Sequence, residues 1–114
     1  MKWTFASSTA LTASQTDFNP ISTWAPRFPS YRSIVRIYVN ATTAGVRIVL
    51  SRGTEAVQPK SQVQGGGTAG VLPNPLSTSP IEFLVEAGQE IQPLFTEVLA
   101  GTPTLNFLIE IEAV

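Results

Sequence analysis

Apolar and polar side chains alternate with a period of two through several segments of the chain, and each alternation predicts a half-buried β-strand. In RSIVRIYV, Ser33, Val35, Ile37 and Val39 share one face, while Arg32, Ile34, Arg36 and Tyr38 share the other. In VRIVLSR, Val46, Ile48 and Leu50 point one way, and Arg47, Val49 and Ser51 the other. The intervening NATTAG, Asn40 to Gly45, is rich in turn formers, so the pair reads as an antiparallel hairpin. SPIEFLVEAGQEI supplies a third strand, with Ile81, Phe83 and Val85 inward and Glu82, Leu84 and Glu86 outward. After the turn Ala87-Gly88-Gln89, Ile91 to Leu99 returns as a strand that Pro93 confines to an edge or a bulge. TLNFLIEIEAV alternates most clearly. Leu105, Phe107, Ile109, Ile111 and Ala113 line one face; Asn106, Leu108, Glu110 and Glu112 line the other.

Two weaker candidates are Lys2 to Ala6, with Trp3 and Phe5 on one side, and Thr54 to Val63, interrupted by Pro59. No segment sustains a 3.6-residue period, and nine prolines with eight glycines leave little room for helix. Short strands between Gly/Pro-rich turns define an all-β chain, an antiparallel β-sandwich with long irregular loops. The expected organisation is one domain over 1–114. Residues 1–31 hold an N-terminal strand and an extended aromatic, proline-rich arm; residues 32–114 form the main sandwich, with a Gly/Pro-rich loop at 64–80. Long structureless loops are uncommon in compact domains, and those that persist are usually functional or bound to something.

Composition narrows the chemistry. Only 13% of residues are charged and the net charge is −1, with no basic block, so no dedicated nucleic-acid site is expected. The chain has no Cys and no His. Disulfides, thiolate metal sites, Cys nucleophiles and any triad built on an imidazole base are thereby excluded. In MKWTFASSTALTASQ, Thr and Ser interrupt every apolar run, so a secretory signal is not expected. No apolar run approaches the roughly 18 residues of a membrane span.

The most tempting motif lies in QGGGTAGVLPNP, where Gly65, Gly67 and Gly70 complete a G-x-G-x-x-G with Glu90 twenty residues beyond. A dinucleotide site needs a buried strand before the glycines and a helix opening within them. KSQVQ precedes them with one apolar residue, and Pro73, Pro75 and Pro80 forbid a continuous helix after them. No cofactor is expected; the segment reads as a loop projecting from one end, mobile or ordered by a partner. Glu82, Glu86, Glu110 and Glu112 alternate with core positions and read as cross-strand partners for Arg32, Arg36 and Arg47, not as a catalytic pair. Asp17 is the only aspartate and no calcium-loop pattern occurs, so no metal is expected. Asn40-Ala41-Thr42 matches a glycosylation acceptor, but a turn before Gly45 explains Asn40 without sugar. The chain is expected not to be an enzyme.

DFNPISTWAPRFPSYRS concentrates large apolar groups in a segment that cannot be a regular strand or helix. Its aromatics plug an open end of the core, dock on a neighbouring subunit, or offer Trp24 and Tyr31 as a stacking platform for carbohydrate. On the strands, Ile34, Tyr38, Val49, Leu84 and Leu108 lie on the side that meets water in a simple sandwich. Clustered, they would make a patch larger than soluble monomers usually expose, which points to a homo-oligomer. The candidate interface is therefore Phe18, Trp24, Phe28, Tyr31, Ile34, Tyr38, Leu84 and Leu108.

The layout resembles the small jelly-roll β-sandwich proteins of virions, including those of bacteriophages. The resemblance rests on an arm region before RSIVRIYVNATTAGVRIVL, on the strand, Ala-Gly turn and return strand of FLVEAGQEIQPLF, and on TPTLNFLIEIEAV closing the chain. It implies a single jelly roll serving as a capsid, penton or decoration subunit, located in the virion and partnered by other virion proteins. No basic N-terminal arm accompanies it, so a position at a vertex or on the outer shell is expected. A carbohydrate- or receptor-binding module of a phage fibre or secreted protein is the alternative.

Overall fold

The structure, a computed structural model, describes residues 2–114. Seven strands form: β1 (Lys2–Ala10), β2 (Ser33–Ala41), β3 (Val46–Arg52), β4 (Glu55–Gln62), β5 (Ile81–Val85), β6 (Ile91–Glu97) and β7 (Thr104–Ala113). One 3-10 turn, Ala25–Arg27, is the only helical element among the described residues. The strands build a four-stranded sheet in the order β1-β7-β2-β5 and a three-stranded sheet in the order β4-β3-β6, and every pairing is antiparallel. The chain is an all-β antiparallel sandwich, as its alternation predicts.

Most of the inward residues named from alternation form the core, with Val39, Ile81 and Ala113 only half-buried. Val35, Ile37, Phe83, Val85, Leu105, Phe107, Ile109 and Ile111 come from the larger sheet, and Val46, Ile48, Leu50, Ile91 and Phe95 from the smaller. The sheets meet edge-to-face at Phe95 and Phe107, whose rings lie 5.9 Å apart at 84°. Such aromatic pairs add about 0.5–1.5 kcal/mol beyond the area they bury.

Strand neighbours differ from expectation in one respect. β2 and β3 do not form a hairpin: β2 lies between β7 and β5, and β3 lies in the other sheet. The connection around Gly45, at φ +109°, carries the chain across the sandwich. Alternation reports which face a side chain takes, and is blind to which strand lies alongside. The same holds after β5, whose return strand β6 also changes sheets. The tight hairpin is instead β3–β4, joined by Gly53 and Thr54, with Arg52 paired to Glu55.

From that hairpin outward the chain pairs as a folded ribbon. β3 pairs with β4, β2 with β5, and β1 with β7. The remaining strand, β6, is met by Phe18 in an isolated antiparallel bridge. Proline placement follows. Pro93 sits in β6 at the edge of the smaller sheet, where a missing N–H costs no ladder bond. Pro59 does not interrupt β4; it lies where the register against β3 shifts, between the Leu50–Gln58 and Ile48–Ser61 pairs. β1 runs to Ala10, past the expected Ala6, because Ser7 to Ala10 register against Phe107 to Thr104.

Candidate interaction surfaces

The arm between β1 and β2 closes one side of the sandwich. Phe18 exchanges backbone bonds with Phe95, and the Glu97 amide donates to the Gln15 carbonyl at 2.8 Å. Ile21 is fully buried. Trp24 stacks at 5.5 Å on Phe5, which in turn meets Phe107 at 6.5 Å. An aromatic chain thus runs from the arm through β1 and β7 to Phe95 on the opposite sheet. Arg27 pairs with Glu90 at 3.1 Å, tying the arm to the start of β6, and its guanidinium lies 4.8 Å above the Phe28 ring. Phe18 and Trp24 are therefore packed against the core of their own chain. Phe28 and Tyr31 point outward, and Tyr31 is 53% exposed. A pocket of about 190 Å³ opens beside Trp3, Pro26, Phe28 and Pro29.

The outer face of the larger sheet gathers four of the five outward apolar residues. Ile34 stands opposite Leu84, and Tyr38 opposite Leu108. Val49 lies apart, on the smaller sheet opposite Leu94. The four do not form one apolar patch. A charged row crosses between the two pairs: Glu82 to Arg36 at 2.8 Å, Arg36 to Glu112 at 3.1 Å and Lys2 to Glu110 at 2.9 Å. Arg32 pairs with Glu86 at 3.2 Å. The cross-strand roles expected for Arg32, Arg36 and the four glutamates are met, whereas Arg47 lies on the other sheet. Burial, with Glu110 close by, pushes the Tyr38 phenol up. Hydrogen bonding to Glu110, reinforced by its charge, raises the Lys2 ammonium.

The glycine loop lies back on the same face. The Ala41 amide donates to the Gln64 carbonyl at 2.9 Å, and the Gly67 amide donates to the Ala41 carbonyl at 3.0 Å. Gly70 donates to the Ser8 hydroxyl at 3.0 Å. Beneath this strap Asn106 is fully buried, although alternation places it on the water-facing side. Its amide group donates to Asn40 Oδ1 at 2.8 Å and to the Thr68 carbonyl at 3.1 Å, and its oxygen accepts from Ser8 at 2.7 Å. Gly65 is required by close approach: a Cβ there would meet backbone atoms of Thr43 and Ala44 at 2.8 Å. The strap is thus held by its own chain, correcting the expectation of a projecting loop. No helix follows the glycines, and Glu90 is occupied by Arg27. Asn40 is the penultimate residue of β2, not a turn residue, and its side chain is engaged by Asn106.

Among the described residues Glu97 is the one buried acid, on the β6 face that it shares with Ile91, Pro93 and Phe95. Burial by itself would push its carboxyl up. Backbone N–H groups of Ser14, Leu99, Gly101 and Ala100 outweigh that and hold it below the usual carboxylate range. Its Oε1 accepts from Ser14 and its Oε2 from Leu99, each at 3.0 Å, so one carboxylate fastens the arm to the β6–β7 turn.

Among the described residues no group of three or more metal-ligating side chains gathers, and no helix is long and apolar enough to cross a membrane. No protein-family model matches the chain, and no curated protein matches it.

Proposed function

We propose that the chain is a single jelly roll and acts as a non-catalytic virion structural subunit, a capsid, penton or decoration protein that assembles into symmetric homo-oligomers. The observation that carries this reading is the ribbon pairing. Counting the Phe18 segment as the second of eight strands, the partners are first with eighth, second with seventh, third with sixth and fourth with fifth. This order supports the reading, because two interleaved Greek keys, an architecture used by capsid and lectin domains, pair their strands from the ends inward.

Support for assembly comes from the connections. Leu76 is 96% exposed, Leu99 67% and Val71 59%, all in loops outside the strands. Apolar groups at loop tips cost solubility in a monomer and gain burial in a closed symmetric assembly. A carbohydrate- or receptor-binding module would use Trp24 and Tyr31 together. Trp24 packs on Phe5 while Tyr31 faces solvent, so the stacking platform loses one of its two rings.

Electron microscopy of the protein in its native assembly tests the proposal. Density for this sandwich repeated about a symmetry axis of a particle is the expected result. A solitary copy with no symmetry-related neighbours of its own kind would overturn it.

A further inference from the structure

The end of β2 and the two limbs of the 63–80 connection enclose a cleft of about 440 Å³. That is within the range of about 300–1,000 Å³ typical of small-molecule sites. Its lining is unusual for such a site. None of the nine lining residues is charged, and Val39 is the only one with an apolar side chain. The others are two carboxamide residues, Asn40 and Gln64, three glycines, Gly65, Gly66 and Gly67, and three hydroxyl residues, Ser77, Thr78 and Ser79.

We propose that this cleft binds a neutral, hydroxyl-rich ligand, a saccharide of one or two rings. The class follows from the donors and acceptors present. An ion would enter without a counter-charge, and an apolar ligand would desolvate the remaining hydroxyl and amide groups without giving them partners. A sugar hydroxyl both donates and accepts, which matches Ser, Thr and carboxamide groups.

The walls are preorganised. Asn40 Oδ1 is taken by Asn106, which fixes the orientation of the carboxamide and leaves Nδ2 as its donor end. Asn106 is itself held by Ser8 and Thr68. The glycine wall is pinned at Gln64 and Gly67 through Ala41. The hydroxyl wall is set by Asn74, whose side chain accepts from the Leu76 amide at 2.9 Å and whose carbonyl accepts from Ser77 and Thr78 at 3.0 and 2.9 Å. Groups held before binding lose less entropy on binding. This cleft lies away from Trp24 and Tyr31, and the proposal does not depend on oligomer formation.

The test is a ¹H–¹⁵N titration of the full chain with glucose, galactose and N-acetylglucosamine and their β1,4-linked disaccharides, with sodium phosphate as a separate arm. At least one saccharide is expected to give saturable shifts at the Gly65, Gly66 and Ser77 to Ser79 amides. Thr78→Val and Ser79→Ala should each weaken that saccharide about tenfold, the loss of one directed hydrogen bond. Their spectra away from the cleft should be unchanged, which shows that the variants fold. Saturable shifts with phosphate alone, shifts elsewhere on the molecule, no saturable shift with any saccharide, or equal binding by the two variants would each overturn the proposal.

Discussion

Phe18 and Phe95 exchange both backbone hydrogen bonds, N–H to carbonyl at 2.9 Å in each direction. This isolated bridge, with the Glu97 amide donating to the Gln15 carbonyl, lays the arm along the free edge of β6. If it belongs to the sheet and not to a fraying loop, the Phe18 and Phe95 amides should exchange hydrogen as slowly as those of β3. Measured protection at Phe18 comparable to the neighbouring loop residues would show that the arm opens independently.

Trp24 and Tyr31 are seven residues apart and should respond oppositely. Trp24→Ala removes a ring packed on Phe5 and should cost about 2–4 kcal/mol, somewhat below a fully buried aromatic. Tyr31→Ala, at a solvent-facing ring, should fall within about 0.5 kcal/mol of wild type. Urea denaturation of both variants checks this. Equal losses would mean that the arm packs differently.

Glu97 has a carboxyl held below its unfolded value by backbone donors. The carboxylate therefore contributes stability that is fully present above the unfolded carboxylate range. That contribution is lost as pH falls through the lower folded value. Glu97→Gln should be less stable than wild type at neutral pH, with the difference shrinking progressively in acid. Thermal melts across pH 7 to 3 read this out; a constant gap would contradict it.

Asn106→Leu leaves Asn40 Oδ1 without its donor and the Ser8 O–H without its acceptor, while Gly70 still donates to Ser8 and Val71 to the Thr68 carbonyl. Each stranded group costs about 1–3 kcal/mol where water cannot replace the bond. The variant should lose at least about 2 kcal/mol, or relieve the loss by lifting the strap. Faster amide exchange at Gly67 would identify the second route. A variant with wild-type stability and exchange would show that the network is not what holds the loop.

Faces were legible in the sequence and neighbours were not. Val35, Ile48, Phe83 and Ile109 occupy the core that their alternation assigns. Nothing in the alternation of β2 and β3 says that the chain changes sheets at Gly45. The long-range layer over the strands was also hidden. Asn106 reads as water-facing because the residues that bury it, at the glycine strap, are some forty positions earlier. Of the candidate interface, Phe28, Tyr31 and Leu84 are exposed, Ile34 and Leu108 are half-buried, Phe18 and Trp24 pack on the core, and Tyr38 is buried. The aromatics of the arm divide between the core and solvent. The two destinations of its rings depended on contacts with Phe5 and Phe95 that spacing cannot reveal.

Assembly is the claim on which the functional account rests, and the mass of the particle in solution tests it most directly. Sedimentation velocity or native mass spectrometry at micromolar concentration should return a single closed oligomer, an integer multiple of the 12.2 kDa chain. A stable species at 12.2 kDa across that concentration range would contradict the account.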